Sequence, residues 1–278
     1  MKFENIVNKI DSLPALSDTS IIVQQLYADG AENVDIIKLV RAIESDALLA
    51  ANILKMINSP LYGFSKKIAS VSQAVTLFGT QIIYGLVVSF SINSVIKANL
   101  RPYGISNQTF NDICLIQSAL MTQWYSKIDL RHAQFLAPLA LIMESGKLVV
   151  ANEVASSLGI KEFSNGLRES KSVVKYENAV IQTSSYYVSG LLFDYWNLEP
   201  LYVDMLKGLD FEYEPISDKI DNYIDTLDVV RTAVNVKAIL SDESIQEASA
   251  MVAEMGLDSE HFEHIAHRIK DNYLKKQH

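Results

Sequence analysis

Apolar residues recur at helical spacing from one end of this chain to the other, and nowhere does an alternation of period two persist, so the fold it specifies is all-α. Ser17 or Asp18 caps a helix carrying Ile21, Ile22 and Leu26 that ends near Asp29 and Gly30. Asn33 stands where it would cap a second helix, with Ile36, Ile37, Leu39, Val40 and Ile43 on one stripe. Ser45 or Asp46 starts a third, through Leu48, Leu49, Ile53, Leu54 and Ile57. That helix stops at Asn58-Ser59-Pro60, because proline disfavours helical backbone in the residue before it and has no N–H of its own. Ser70 and Gln73 have capping-box spacing ahead of Ala74, Val75, Leu77 and Phe78; Gly79 then ends that short helix and Thr80 caps a long apolar one. Arg101-Pro102-Tyr103-Gly104 is the next break. Helical stretches follow from Asn107 to Ser126, from Asp129 to about Ser156, and after Ser172 and Trp196. The last third reads as helices over Asp218 to Leu240, Ser244 to Glu254, and from Asp258 or Ser259 onward.

The apolar share, 49% of residues, is ample for a core, and 11 Gly and 6 Pro leave little linker-like composition. The acidic, aromatic stretch from Asp210 to Pro215 is the one candidate boundary, dividing a domain over 1–209 from a helical extension over 210–278 packed on it. The most lipid-like run, Ile82 to Ile96, is shorter than the roughly 20 residues that span a bilayer and is interrupted by Ser89, Ser91, Asn93 and Ser94, so it reads as a core helix with no membrane insertion. A formal charge of −9 argues against contacts to a phosphate backbone, and the sequence predicts no nucleic-acid partner. The single cysteine, Cys114, sits among Ile113, Leu115 and Ile116 as a small core residue. It cannot form an internal disulfide, and Met1 to Leu13 carries charges where a secretory leader would be apolar; the expectation is a cytoplasmic protein.

Particular residues go further. Leu13-Pro14, Ile43, Asp46-Ala47-Leu48, Leu54-Lys55, Asn58-Ser59-Pro60-Leu61-Tyr62-Gly63, Ile68, Ser70, Ala74, Val75 and Leu77-Phe78-Gly79 fall at the spacing of one known pattern. The stretch from Leu13 to about Leu209 resembles the HDOD domain, a helical output module of bacterial signalling proteins related to the HD phosphohydrolases. The resemblance implies an irregular, HD-like multi-helix bundle with additional C-terminal helices, and a role in signal transduction.

The same resemblance exposes a departure. Leu141-Ile142-Met143-Glu144-Ser145-Gly146-Lys147-Leu148 is similar to the place where catalytic relatives carry a His-Asp pair before an apolar-Gly-Lys run, and here the pair is Met143-Glu144. Gln117-Ser118 occupies the position of a family His-Ser, while Ser185 and the region around Lys207-Gly208-Leu209 replace further histidines. HD enzymes hold divalent metals with imidazole and carboxylate to polarise phosphate oxygens; a neutral, soft thioether supplies neither the charge nor the affinity. The five histidines, at 132, 261, 264, 267 and 278, include none followed by aspartate.

Rival constellations have simpler explanations. At about 100° per residue His261, His264 and His267 fan across the side of the last helix opposite Phe262, Ile265, Ala266, Ile269 and Tyr273. Asn58, Ser59 and Tyr62 are turn residues first and candidates for ligand or partner recognition second. Tyr186, Tyr187, Tyr195 and Trp196 read as core or groove aromatics with satisfied polar tips. The expectation is therefore a non-catalytic regulatory protein that binds a partner protein, with a small ligand as a further candidate, and needs no cofactor. Its candidate binding residues are Asn58, Ser59, Tyr62, Gln117, Met143, Glu144 and Ser185. Two alternatives stand beside it: a phosphohydrolase with a metal site rebuilt from Glu144, Glu153 and Glu177 with His132, and a cyclic-dinucleotide sensor.

Overall fold

The computed structural model describes residues 3–64, 66–157, 159–210 and 218–277. Its helices are α1 (Phe3–Asp11), α2 (Asp18–Leu26), α3 (Ile36–Glu44), α4 (Ala47–Ile57), α5 (Val71–Val95), α6 (Asn107–Tyr125), α7 (Leu130–Ile142), α8 (Gly146–Ser157), α9 (Ile160–Glu169), α10 (Val173–Ile181), α11 (Ser185–Tyr195), α12 (Pro200–Gly208), α13 (Asp218–Ala233), α14 (Asp242–Glu254) and α15 (Ser259–Gln277). Among the described residues there is no strand, and the only bridge is the isolated pair Val234 and Ile239.

Local chemistry starts these helices. Ser17, Asp46, Ser70, Asp129, Ser172 and Ser241 each turn a side-chain oxygen onto a backbone N–H two or three residues on, satisfying donors that the first helical turn leaves unpaired. Gly79 does interrupt the long apolar segment: at φ 80°, ψ 164° it breaks α5 where only glycine sits without strain.

Several elements differ from the expectations: α1 and α9 have no counterpart among the expected helices, and the stretch after Ser172 holds two helices, α10 and α11. Asp35, not Asn33, caps α3, its Oδ1 accepting from the N–H groups of Ile37 at 3.0 Å and Lys38 at 3.1 Å; Asn33 lies in a 3-10 turn and its Nδ2 donates to the Asp29 carbonyl. Consistent with that turn, α2 ends at Leu26, earlier than Asp29. The helix expected through Leu240 stops at Ala233, where a tight turn pairs Asn235 N with the Ala238 carbonyl at 2.7 Å. Most consequentially, the single helix expected over 129–156 is two helices, broken by a turn at Met143-Glu144-Ser145. The boundary expected from Asp210 to Pro215 falls on 211–217, outside the described residues.

In the packing, α6 lies on α7, α7 on α5, and α5 on α2, α3 and α4; α11 joins α8 to α12, with α1 across α8 and α11. Pro138 inside α7 and Gly85 of α5 make the α5/α7 crossing close, since a Cβ at 85 would lie 2.9 Å from the Pro138 Cα. The segments Val71–Val95 and Leu130–Ser157 are long and apolar enough to cross a membrane, but 67% and 89% of their most apolar windows are buried within the protein. They are core segments of the bundle, Ile82 to Ile96 included. The C-terminal helices close over one side: α13 contacts α6, α7 and α12, and α15 packs on α6 through Phe262, whose ring meets Trp124 edge-on at 5.0 Å.

Candidate functional site

The turn between α7 and α8 carries a glutamate into the centre of the molecule. One hydroxyl on α11 holds both sides of the break: Ser189 Oγ accepts from Gly146 N at 2.7 Å and lies 2.7 Å from the Met143 carbonyl, to which it can donate. The fit is tight, because a Cβ at position 146 would sit 1.9 Å from the Ser185 carbonyl oxygen. The turn leaves Glu144 beside Lys147, three residues on.

Glu144 and Lys147 are both 0% exposed, and Lys147 Nζ lies 2.5 Å from Glu144 Oε2. Gln117 Nε2 on α6 donates to Glu144 Oε1 at 2.9 Å and to the Val234 carbonyl at 2.8 Å, and Tyr186 OH donates to the same Oε1 at 2.8 Å. Lys147 Nζ donates to Ser185 Oγ at 2.9 Å and sits over the Tyr186 ring, 4.3 Å from its centroid, with the Arg231 guanidinium 4.8 Å from that same centroid. A second carboxyl is nearby: Glu177 of α10 accepts from Tyr103 OH at 2.6 Å and from Ser185 N at 2.7 Å. Gln117 Oε1 is buried with no hydrogen-bond partner, since the two acceptors facing Nε2 fix the amide's orientation.

The electrostatics divide the two acids. Burial drives the Glu144 carboxyl upward, but the Lys147 ammonium and the bonds from Lys147, Gln117 and Tyr186 outweigh it and hold the group below the usual glutamate value. For Glu177 burial prevails over the same ammonium, and its carboxyl is raised. Burial likewise raises the Tyr103 and Tyr186 phenols and the Cys114 thiol, so Cys114 is an inert core residue as expected.

Of the expected site residues, Gln117, Met143, Glu144 and Ser185 converge here, although Met143 contributes its carbonyl and its side chain is simply buried. Asn58, Ser59 and Tyr62 do not join them. Asn58 Nδ2 donates to the carbonyls of Leu54 (2.7 Å) and Ile68 (2.9 Å) while its Oδ1 accepts from Ile68 N (2.8 Å), closing the loop after α4. Tyr62 is buried against Phe78, and its OH reaches Ser118 Oγ at 3.3 Å; Ser59 Oγ is buried with no partner. Asn58→Ala leaves the Ile68 amide and carbonyl unpaired, and the expected loss is about 2 kcal/mol of stability, read by denaturant unfolding.

Several members of the network were not singled out from sequence as site residues: Lys147, Tyr103, Tyr186, Arg231 and the Val234 carbonyl. The last two come from the C-terminal segment, which therefore helps to enclose the buried centre.

The metal ligand sets do not assemble. Glu153 turns to α1, where Lys9 Nζ lies 2.6 Å away, and His132 pairs with Asp129 at 3.0 Å, so only Glu144 and Glu177 of the rebuilt carboxylate set meet, beside Lys147. Among the described residues no three His, Cys, Asp or Glu side chains group as a metal site, and the Glu144 oxygens already face an ammonium, an amide and a phenol. A divalent ion does not fit these residues. On α15, His264 and His267 are exposed as expected, whereas His261 is half-buried with a closed-off Nε2.

Against known proteins, the model of the HDOD domain family matches residues 13–208. The chain belongs to the HDOD family. That match ends where α12 ends, so α13 to α15, with Arg231 and Val234, lie beyond the HDOD match. Similar solved structures include a putative phosphohydrolase from Shewanella amazonensis (TM-score 0.70, 15% identity, covering 96% of this chain and 97% of that one). A Geobacter sulfurreducens HDOD domain protein of unknown function has a TM-score of 0.65 at 17% identity, covering 98% and 94%. A Campylobacter jejuni virulence factor has a TM-score of 0.56 at 21% identity, covering 97% and 99%. These similarities establish a shared fold that takes in the C-terminal helices as well. No curated protein matches.

Proposed function

We propose that this HDOD protein is a non-catalytic regulatory domain that acts by binding, in the cytoplasm, with a partner protein as its principal target. The observation that carries this reading is the occupancy of its centre by its own side chains. Where the resemblance puts an HD hydrolase's His-Asp ligand pair, this chain has Met143 and Glu144, and the Glu144 carboxylate is already contacted by the buried Lys147 ammonium, an amide and a phenol. No hydroxide nucleophile has a place to form there, and the carboxylate is held ionised by Lys147 rather than poised to take a proton. The family's association with signalling circuits gives binding as the natural alternative to turnover. An activated phosphodiester such as bis-p-nitrophenyl phosphate, incubated with the full chain and manganese, is expected to hydrolyse at the protein-free rate. Turnover abolished by a chelator and by Glu144→Gln would overturn the reading.

A further inference from the structure

A second feature lies away from the buried centre. Between α2, α5 and the turn joining α11 to α12 is a cavity of about 930 Å³. Its walls include Tyr27, Tyr84, Trp196 and Tyr202, and the charged residues on it are two glutamates, Glu32 and Glu199, with no lysine, arginine or histidine among the described residues that line it. Both glutamates are exposed, whereas Tyr84 is 7% exposed and Tyr202 4% exposed.

The walls are fixed before any ligand arrives. Tyr27 and Tyr84 pack with centroids 4.5 Å apart, Tyr202 OH donates to the Phe135 carbonyl at 3.1 Å, and Gln24 Nε2 on α2 donates to the Trp196 carbonyl at 3.2 Å. Glu32, exposed at the rim, bends back over Gly30, where a Cβ would lie 2.7 Å from Oε1. One polar group is left over. The Tyr84 hydroxyl makes no hydrogen bond to any described residue, and it is not among the sealed-off atoms of the interior, so on the cavity wall it faces the open volume. Burial and the Glu199 carboxylate, which lines the same cavity, both push this phenol upward and keep it neutral.

Aromatic walls, carboxylates of one sign and a spare phenolic oxygen suit a positive group with N–H donors and repel phosphates and carboxylates. We propose that this cavity binds an organic ammonium ion, with Tyr84 Oη accepting an N–H, the aromatic rings enclosing the apolar part, and Glu199 and Glu32 balancing the charge. Arg131 and His132 stand on an adjoining cavity that meets this one at Glu32, Gln81 and Phe135, so the ammonium belongs at the Glu199 end. The inference does not rest on the non-catalytic reading, because none of these residues touches the Glu144 and Lys147 network.

Calorimetric titration of the full chain with putrescine tests it, against 1,4-butanediol as the uncharged isostere and a cyclic dinucleotide as the anionic control. An acetylated Gly-Lys-Gly amide, run in parallel, distinguishes a free amine from a lysine side chain of a partner. Saturable binding of putrescine or the peptide is expected, with no binding of the diol or the dinucleotide. Glu199→Gln and Tyr84→Phe, which retain shape and leave the melting temperature near that of the parent, are expected to weaken it about threefold to fivefold each. Equal binding of the diol, indifference to Glu199→Gln, or failure of both amines to bind overturns the proposal.

Discussion

Lys147→Met is expected to lower stability by roughly 3–5 kcal/mol, because it leaves the wholly buried Glu144 carboxylate without its counter-ion. The remaining bonds from Gln117 and Tyr186 stabilise a negative charge but do not neutralise it. Adding Glu144→Gln to that variant removes the charge while keeping an acceptor for both neighbours, so the double variant should recover more than half of the loss. The deficit also has a sign in pH. With Lys147 gone, burial raises Glu144 in the folded state above its unfolded value, as it already raises Glu177. The folded variant then binds more protons than the unfolded chain, and its stability falls as pH rises through the folded value. The gap between parent and variant should narrow toward pH 5 and widen toward pH 8 in urea unfolding measured across that range. A gap that widens in acid would mean that Glu144 is not the group left exposed to burial.

Gly146→Ala is expected to be the most damaging single-methyl change in the chain. The new Cβ meets main-chain atoms, the Ser185 carbonyl at 1.9 Å and Ser189 N at 2.6 Å, so α8 and α11 have to separate instead of one side chain rotating away. Overpacking of a rigid core costs about 1–3 kcal/mol or more, and here it also pulls apart the Ser189 bonds that define the turn at Glu144. We expect loss of folded protein at growth temperature or a fall in melting temperature of well over 5 °C, a scale set by about 1 kcal/mol per 2–4 °C for a chain of this size. Gly256→Ala is the control. Its φ of 72° strains an alanine, but no atom lies within 4 Å, so only about 1 kcal/mol should be lost. Equal effects of the two substitutions would show that the α8/α11 contact is not what requires glycine.

Much of the fold was legible because its punctuation is local. Ser17, Asp46, Ser70 and Asp258 cap where their side chains can reach the next amides, and Pro60 and Gly79 stop helices for reasons contained in their own backbones. The break at Met143-Glu144-Ser145 was not legible, since all three residues are acceptable in a helix and the cause is remote: α11 presses on Gly146. The same holds for the site. Met143-Glu144 stood out against a family pattern, but the partner that matters, Lys147, passed as part of a glycine-lysine landmark. The signal was present: an acid and a base three apart inside an apolar run from Leu139 to Val150 have to be paired if that run is buried. Tyr103, Arg231 and the Val234 carbonyl reach the network through tertiary packing, to which no short spacing in the sequence points. Asn58 shows the converse, a conspicuous polar residue whose hydrogen bonds are all used in closing its own loop.

Metal retention is the most direct test of a buried centre in which the Glu144 carboxylate is already taken up by Lys147, Gln117 and Tyr186. The full chain, incubated with excess manganese, iron or zinc and then desalted, should keep far less than one ion per molecule, and its melting temperature should not rise with the metal present. One tightly held ion per chain, lost in Glu144→Gln, would contradict the account.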